Sequence, residues 1–98
     1  MVKHSLPPIH PGEFLHETLA ELNLSQAQFA RAIGVTPRWI SQVLKGARPV
    51  TAELALLFSR AFTQSPQYWL NLQAAYDLKM AEHSIGARLQ AVAELAPA

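Results

Sequence analysis

Four polar side chains recur along the middle of this chain at a spacing that suits the edge of a nucleic-acid base. Arg38, Ser41, Gln42 and Lys45 stand at i, i+3, i+4 and i+7, so on a helix they share one stripe. Arg pairs two donors with guanine and Gln a donor and an acceptor with adenine, so such a face is fitted to reading the major groove of double-stranded DNA. Thr36, just ahead of it, can cap the helix and lie beside the open amides that favour a phosphate. Gln26, Lys45 and Arg48 are placed for backbone phosphates. Trp39 sits on the flank of the stripe, as a packing residue rather than a base-stacking one.

Charge agrees with this placement. Residues 1–30 carry a net −2, residues 31–60 a net +4 and residues 61–98 a net −1, so positive charge gathers in the third that holds the stripe. Enzyme chemistry finds no footing. There is no cysteine, no nucleophile motif and no Gly-rich phosphate loop. His4, His10 and His16 lack the spacing of metal ligands, and the sequence implies no metal or cofactor. Glu13, Glu17 and Glu21 form an i, i+4, i+8 ridge without a pocket to tune a carboxylate, which reads as a solvated face or a contact for a basic protein partner rather than as acid–base machinery. The first residues lack the apolar core of a signal peptide, and no apolar run reaches membrane-spanning length. A cytoplasmic location is expected.

Half of the 98 residues are apolar, enough for one modest core, and the periodicity is helical throughout. Residues 1–10, with Pro7 and Pro8, read as a flexible arm. Leu15, Leu19 and Leu22 line a first helix that starts at Pro11. Ser25 and Gln28 make a capping box for a second, with Leu24 and Phe29 at the staple positions. Gly34 closes that helix after two turns. Thr36-Pro37 opens a third, whose Ile40, Val43 and Leu44 face the core, and Gly46 ends it. Thr51 caps a fourth helix with Leu54, Leu57, Phe58, Ala61 and Phe62 on its apolar side. Ser65-Pro66 starts a fifth, running to about Glu82, and a short sixth helix over Ile85 to Leu95 is possible. The expectation is an all-α, compact five- to six-helix bundle, with residues 11–82 as the DNA-binding domain and 83–98 as a tail. The fifth helix carries two apolar stripes. Trp69, Leu72, Tyr76 and Met80 form one, and Leu70, Ala74 and Leu78 lie on the opposite side. Two stripes predict burial on both sides, the second by the same helix of another copy.

Residues 26–45 resemble the helix-turn-helix of the Cro and lambda-repressor class. A longer stretch is similar to the HigA family of antitoxins. It runs from His10-Pro11-Gly12-Glu13 through Ala47-Arg48-Pro49-Val50-Thr51 to the run Ser65-Pro66-Gln67-Tyr68-Trp69-Leu70-Asn71-Leu72-Gln73 and Tyr76-Asp77-Leu78. This resemblance implies a homodimer that represses its own operon on a palindromic operator and neutralises a HigB-like toxin that cuts messenger RNA. By matching position it implies Thr36, Arg38, Ser41 and Gln42 as base-proximal residues. The remaining alternative is a stand-alone or phage-derived repressor without a toxin.

Overall fold

The computed structural model describes residues 7–96. Five helices follow in order: α1 (Pro11–Glu21), α2 (Gln26–Ile33), α3 (Pro37–Leu44), α4 (Ala52–Phe62) and α5 (Pro66–Gln90). There is no strand among the described residues. His4 lies outside them, as does most of the expected arm.

Each boundary has a local cause. Ser25 and Gln28 close a reciprocal capping box, Gln28 N–H donating to Ser25 Oγ at 3.0 Å and Ser25 N–H to Gln28 Oε1 at 2.8 Å. The Thr36, Thr51 and Ser65 hydroxyls accept from the first turns of α3, α4 and α5, satisfying amides that a helix start leaves without partners. Gly34 ends α2 at φ 76° and ψ 30°, a left-handed conformation that costs glycine nothing. Thr63 does the same for α4 at φ 52°, where a β-branched residue is strained.

The first helix has an unexpected cap. His10 Nδ1 accepts from Gly12 N–H at 2.9 Å, and the ring packs edge-on against Tyr76 with centroids 4.9 Å apart. His10 is therefore the N-cap of α1 and a contact with α5. Gly12 answers a different need. A Cβ at this position would overlap the Val43 carbonyl of α3, so glycine is what lets α1 cross α3 so closely.

The core gathers Leu15 and Leu19 of α1, Phe29 and Ala30 of α2, Ile40 and Val43 of α3, Leu54 and Phe58 of α4, and Trp69 of α5. Aromatic rings hold its far side. Phe29 stacks on Phe62 at 5.0 Å, and Phe58 meets Trp69 edge-on at 5.1 Å, pairs worth about 0.5–1.5 kcal/mol each beyond their burial. Trp69 is fully buried, and its indole N–H donates to Gln64 Oε1 at 2.8 Å.

At the C-terminal end the structure differs from the sequence expectation. Helix α5 continues past Glu82 and through Gly86 to Gln90, interrupted only at Ile85 (φ −113°, ψ 18°). The expected sixth helix is thus the last turn of α5 beyond a bend, and it stops short of Leu95. Nothing lies within 4 Å of where a Gly86 Cβ would stand, so no packing partner dictates the glycine or forces a break there.

Candidate nucleic-acid interface

Helix α3 is eight residues long and two-faced. Ile40 and Val43 are fully buried, while Arg38 and Lys45 are exposed and Ser41 and Gln42 half-buried on the outer side. The inner stripe is clamped by α1 at Gly12 and by α2, so the outer stripe is presented on a fixed backbone. Thr36 Oγ1 accepts from Trp39 N–H at 3.3 Å, and Pro37 occupies the first helical position. Both features fix the start of α3. Gln26, exposed, opens α2 directly after its capping box.

The loop after α3 is more ordered than its sequence suggests. Lys45 N–H donates to Ser41 O and Ala47 N–H to Gln42 O at 2.8 Å, with Gly46 at φ 76°. Arg48 folds back over α3. Its guanidinium lies 4.6 Å from the centroid of the Trp39 ring, and its Nε–H donates to Gln42 Oε1 at 2.9 Å. Two residues later Val50 N–H donates to Gln73 Oε1 at 2.7 Å, and Gln73 Nε2 donates to Asp77 Oδ1 at 2.9 Å. Helix α5 therefore fastens the loop that carries Arg48. Val50 and Gln73 are both buried, so water cannot replace that bond.

His10 borders the same loop. Burial pushes its pKa below the ordinary 6.5, while Asp77, a hydrogen bond with the Arg48 backbone, and Glu13 pull the other way. The neutral ring is the form whose Nδ1 can accept from Gly12.

Thr36, Arg38, Ser41, Gln42 and Lys45 thus belong to one helix face and its cap, with Arg48 joined to them through Gln42. The Glu ridge is exposed on α1, and Glu13 and Glu17, but not Glu21, line a groove with Pro7, Pro8, Tyr76 and Lys45. On α5, Trp69 is buried, Leu72 and Tyr76 are half-buried, and Met80 is 46% exposed. On the opposite stripe Leu70 is half-buried, Ala74 is exposed and Leu78 is 65% exposed. No group of three or more His, Asp or Glu among the described residues is placed to hold a metal. None of the helices is long and apolar enough to cross a membrane. Sequence reasoning did not find Gln73, His10 or Gly12 as supports of the interface, because each acts on a residue distant in sequence or through an uncommon cap.

Two short helices meeting at Gly34, the second with a polar outer face, define a helix-turn-helix protein of the Cro and lambda-repressor class. Residues 15–69 match the helix-turn-helix family. Virulence-associated protein I of Dichelobacter nodosus is 46% identical over 81 residues, covering 82% of this chain and 75% of that protein. A HigA-family antidote protein from Coxiella burnetii superposes with a TM-score of 0.86 at 39% identity, over 95% of this chain and all of that one. Pseudomonas aeruginosa antitoxin HigA, solved with the higBA promoter, gives a TM-score of 0.84 at 36% identity, over 89% of this chain and 96% of that one. The chain belongs to the helix-turn-helix family and, within it, to the HigA antitoxins, a group of DNA-binding regulators rather than enzymes.

Proposed function

We propose that this protein is a cytoplasmic, dimeric antitoxin that represses its own operon by setting α3 into the major groove of a palindromic operator, and that neutralises a HigB-like, mRNA-cleaving toxin. The observation that carries the reading is the rigidly held outer face of α3, with Arg38 and Lys45 exposed, in a chain related to an antitoxin solved on promoter DNA. Thr36, Arg38, Ser41 and Gln42 face base edges. Gln26, Lys45 and Arg48 lie toward phosphates, contacts that fix register and do not themselves touch base edges.

A recognition helix of this length spans only a few base pairs, so a second copy is needed to read two half-sites about one helical turn apart. The outward stripe of α5 supports pairing there. Leu78, 65% exposed, is the kind of residue a closed dimer covers. For the toxin, the exposed Glu13, Glu17 and Glu21 ridge offers a surface complementary to a basic protein.

The test is binding to a duplex selected in vitro by the wild-type protein and to random duplex. Arg38→Ala should lose about 1–3 kcal/mol on the selected duplex and little on the random one. Equal losses on both would end the base-reading assignment. Co-expression with the product of the adjacent reading frame tests the second half. Failure of the antitoxin to restore growth, or of the two proteins to co-purify, leaves a stand-alone repressor.

A further inference from the structure

We infer that Arg48 is a specificity-determining residue that acts by orienting Gln42, an inference that rests on α3 being the base-reading helix. Arginine has only hydrogen-bond donors. The atom of Gln42 that faces Arg48 Nε at 2.9 Å must therefore be the carboxamide oxygen, and the direction of the amide is fixed by chemistry. A free glutamine can turn its amide by half a rotation and offer donor and acceptor in either order. Held by Arg48, Gln42 offers them in one order only, and so reads one arrangement of base-edge groups rather than adapting to several.

Arg48 can impose this because it is itself held. Its guanidinium carbon lies over the Trp39 ring, 4.6 Å from the centroid, a cation–π contact that holds the head of the side chain in place. Its backbone leads into Val50, whose amide is fastened to the buried Gln73 of α5. An arginine whose only task was to meet a phosphate would need neither the ring beneath it nor the amide beside it. Trp39, half-buried on the flank of α3, finds its use here as the platform for Arg48.

The experiment measures affinity of the full chain for its in vitro-selected duplex and for a set in which each base pair of one half-site is replaced in turn by the other three. Gln42→Ala identifies the base pair at which discrimination collapses, a loss of about 5- to 150-fold for a well-made contact. Arg48→Ala is expected to lower discrimination at that same pair to near the Gln42→Ala level. Ratios elsewhere should stay unchanged, and the double variant should lose no more discrimination than Gln42→Ala alone. Arg48→Met keeps an unbranched side chain over the Trp39 ring but has no donor for Gln42 Oε1, and is expected to lose the discrimination as Arg48→Ala does. If Arg48→Ala weakens every duplex by the same factor, or if Arg48→Met keeps full discrimination, the orienting role is overturned. If Gln42→Ala alters no ratio at any pair, Gln42 is not a base reader and both this inference and that assignment fall. Melting curves for each variant separate these outcomes from loss of fold.

Discussion

Replacing Gln73 with methionine keeps the side-chain volume and removes the acceptor that holds the loop after α3. In the native chain Val50 is 2% exposed and Gln73 8% exposed, and the bond between them is 2.7 Å long. Without it the Val50 amide has neither a protein partner nor room for water, a penalty of about 1–3 kcal/mol. Asp77 loses the donor from Gln73 as well, but it is exposed and water replaces that bond at little cost. For a chain of this length about 1 kcal/mol moves the melting temperature by roughly 4–8 °C, so a mid-range loss of about 2 kcal/mol lowers it by about 8–16 °C. Thermal and urea denaturation followed by circular dichroism measure this. Asp77→Asn, which preserves an acceptor for Gln73 Nε2, serves as the control and should stay within about 0.5 kcal/mol of wild type. Operator affinity should fall with Gln73→Met beyond what unfolding explains, because the loop bearing Arg48 is released. A melting temperature for Gln73→Met indistinguishable from wild type would refute the claim that α5 fastens the loop through this bond.

Acid should weaken the fold through His10. Its folded pKa is pushed below the ordinary 6.5, chiefly by burial, so the unfolded chain takes up the proton first and the stability present above pH 6.5 is lost as pH falls below it. His10→Asn, a capping residue that does not titrate in this range, should flatten a urea-midpoint profile across that window. Gly12→Ala should cost about 1–3 kcal/mol in urea titrations despite alanine's better helix propensity, since its Cβ meets the Val43 carbonyl. Thr63→Gly should raise stability by about 1 kcal/mol, because threonine is strained at φ 52°. Sedimentation of Leu78→Glu should show a folded monomer with much weaker operator binding, and a persistent dimer would remove α5 from the interface.

Helix starts were legible in the sequence because capping is local chemistry. Ser25, Thr36, Thr51 and Ser65 each sit within three residues of the amides they satisfy, and the four-residue reach of a cap is visible in a linear string. The polar stripe of α3 was legible for the same reason, as a helical period. His10 was not, since histidine is an unusual cap and the prolines before it read as a loose arm. Gln73 bonds a residue 23 positions away, a separation over which spacing carries no information. Gly12 looked like a helix-start residue, and its role appears only when the Val43 carbonyl is beside it. The coupling of Arg48 to Gln42 spans six residues, but it crosses the end of α3, where the helical period no longer says what meets what. The end of α5 is not legible in the sequence because Gly86 weighs against a helix by propensity alone, whereas α5 runs through it to Gln90.

Helix α3 keeps its folding contacts and its outward groups on opposite sides of eight residues, which shapes how such a DNA-binding regulator diverges. Arg38, the proposed base reader that stands clear of the core, is expected to be free to drift and retune a lineage toward a new operator without eroding the fold. Gln42 is different, because its amide is joined to Arg48. A change there leaves an arginine held over Trp39 without its acceptor, and a change at Arg48 leaves the amide free to turn. Gene copies that part ways at this base pair are therefore expected to do so by paired substitutions, each tolerated poorly until the other arrives, and duplicated regulators within one genome would be insulated from each other's operators by that barrier.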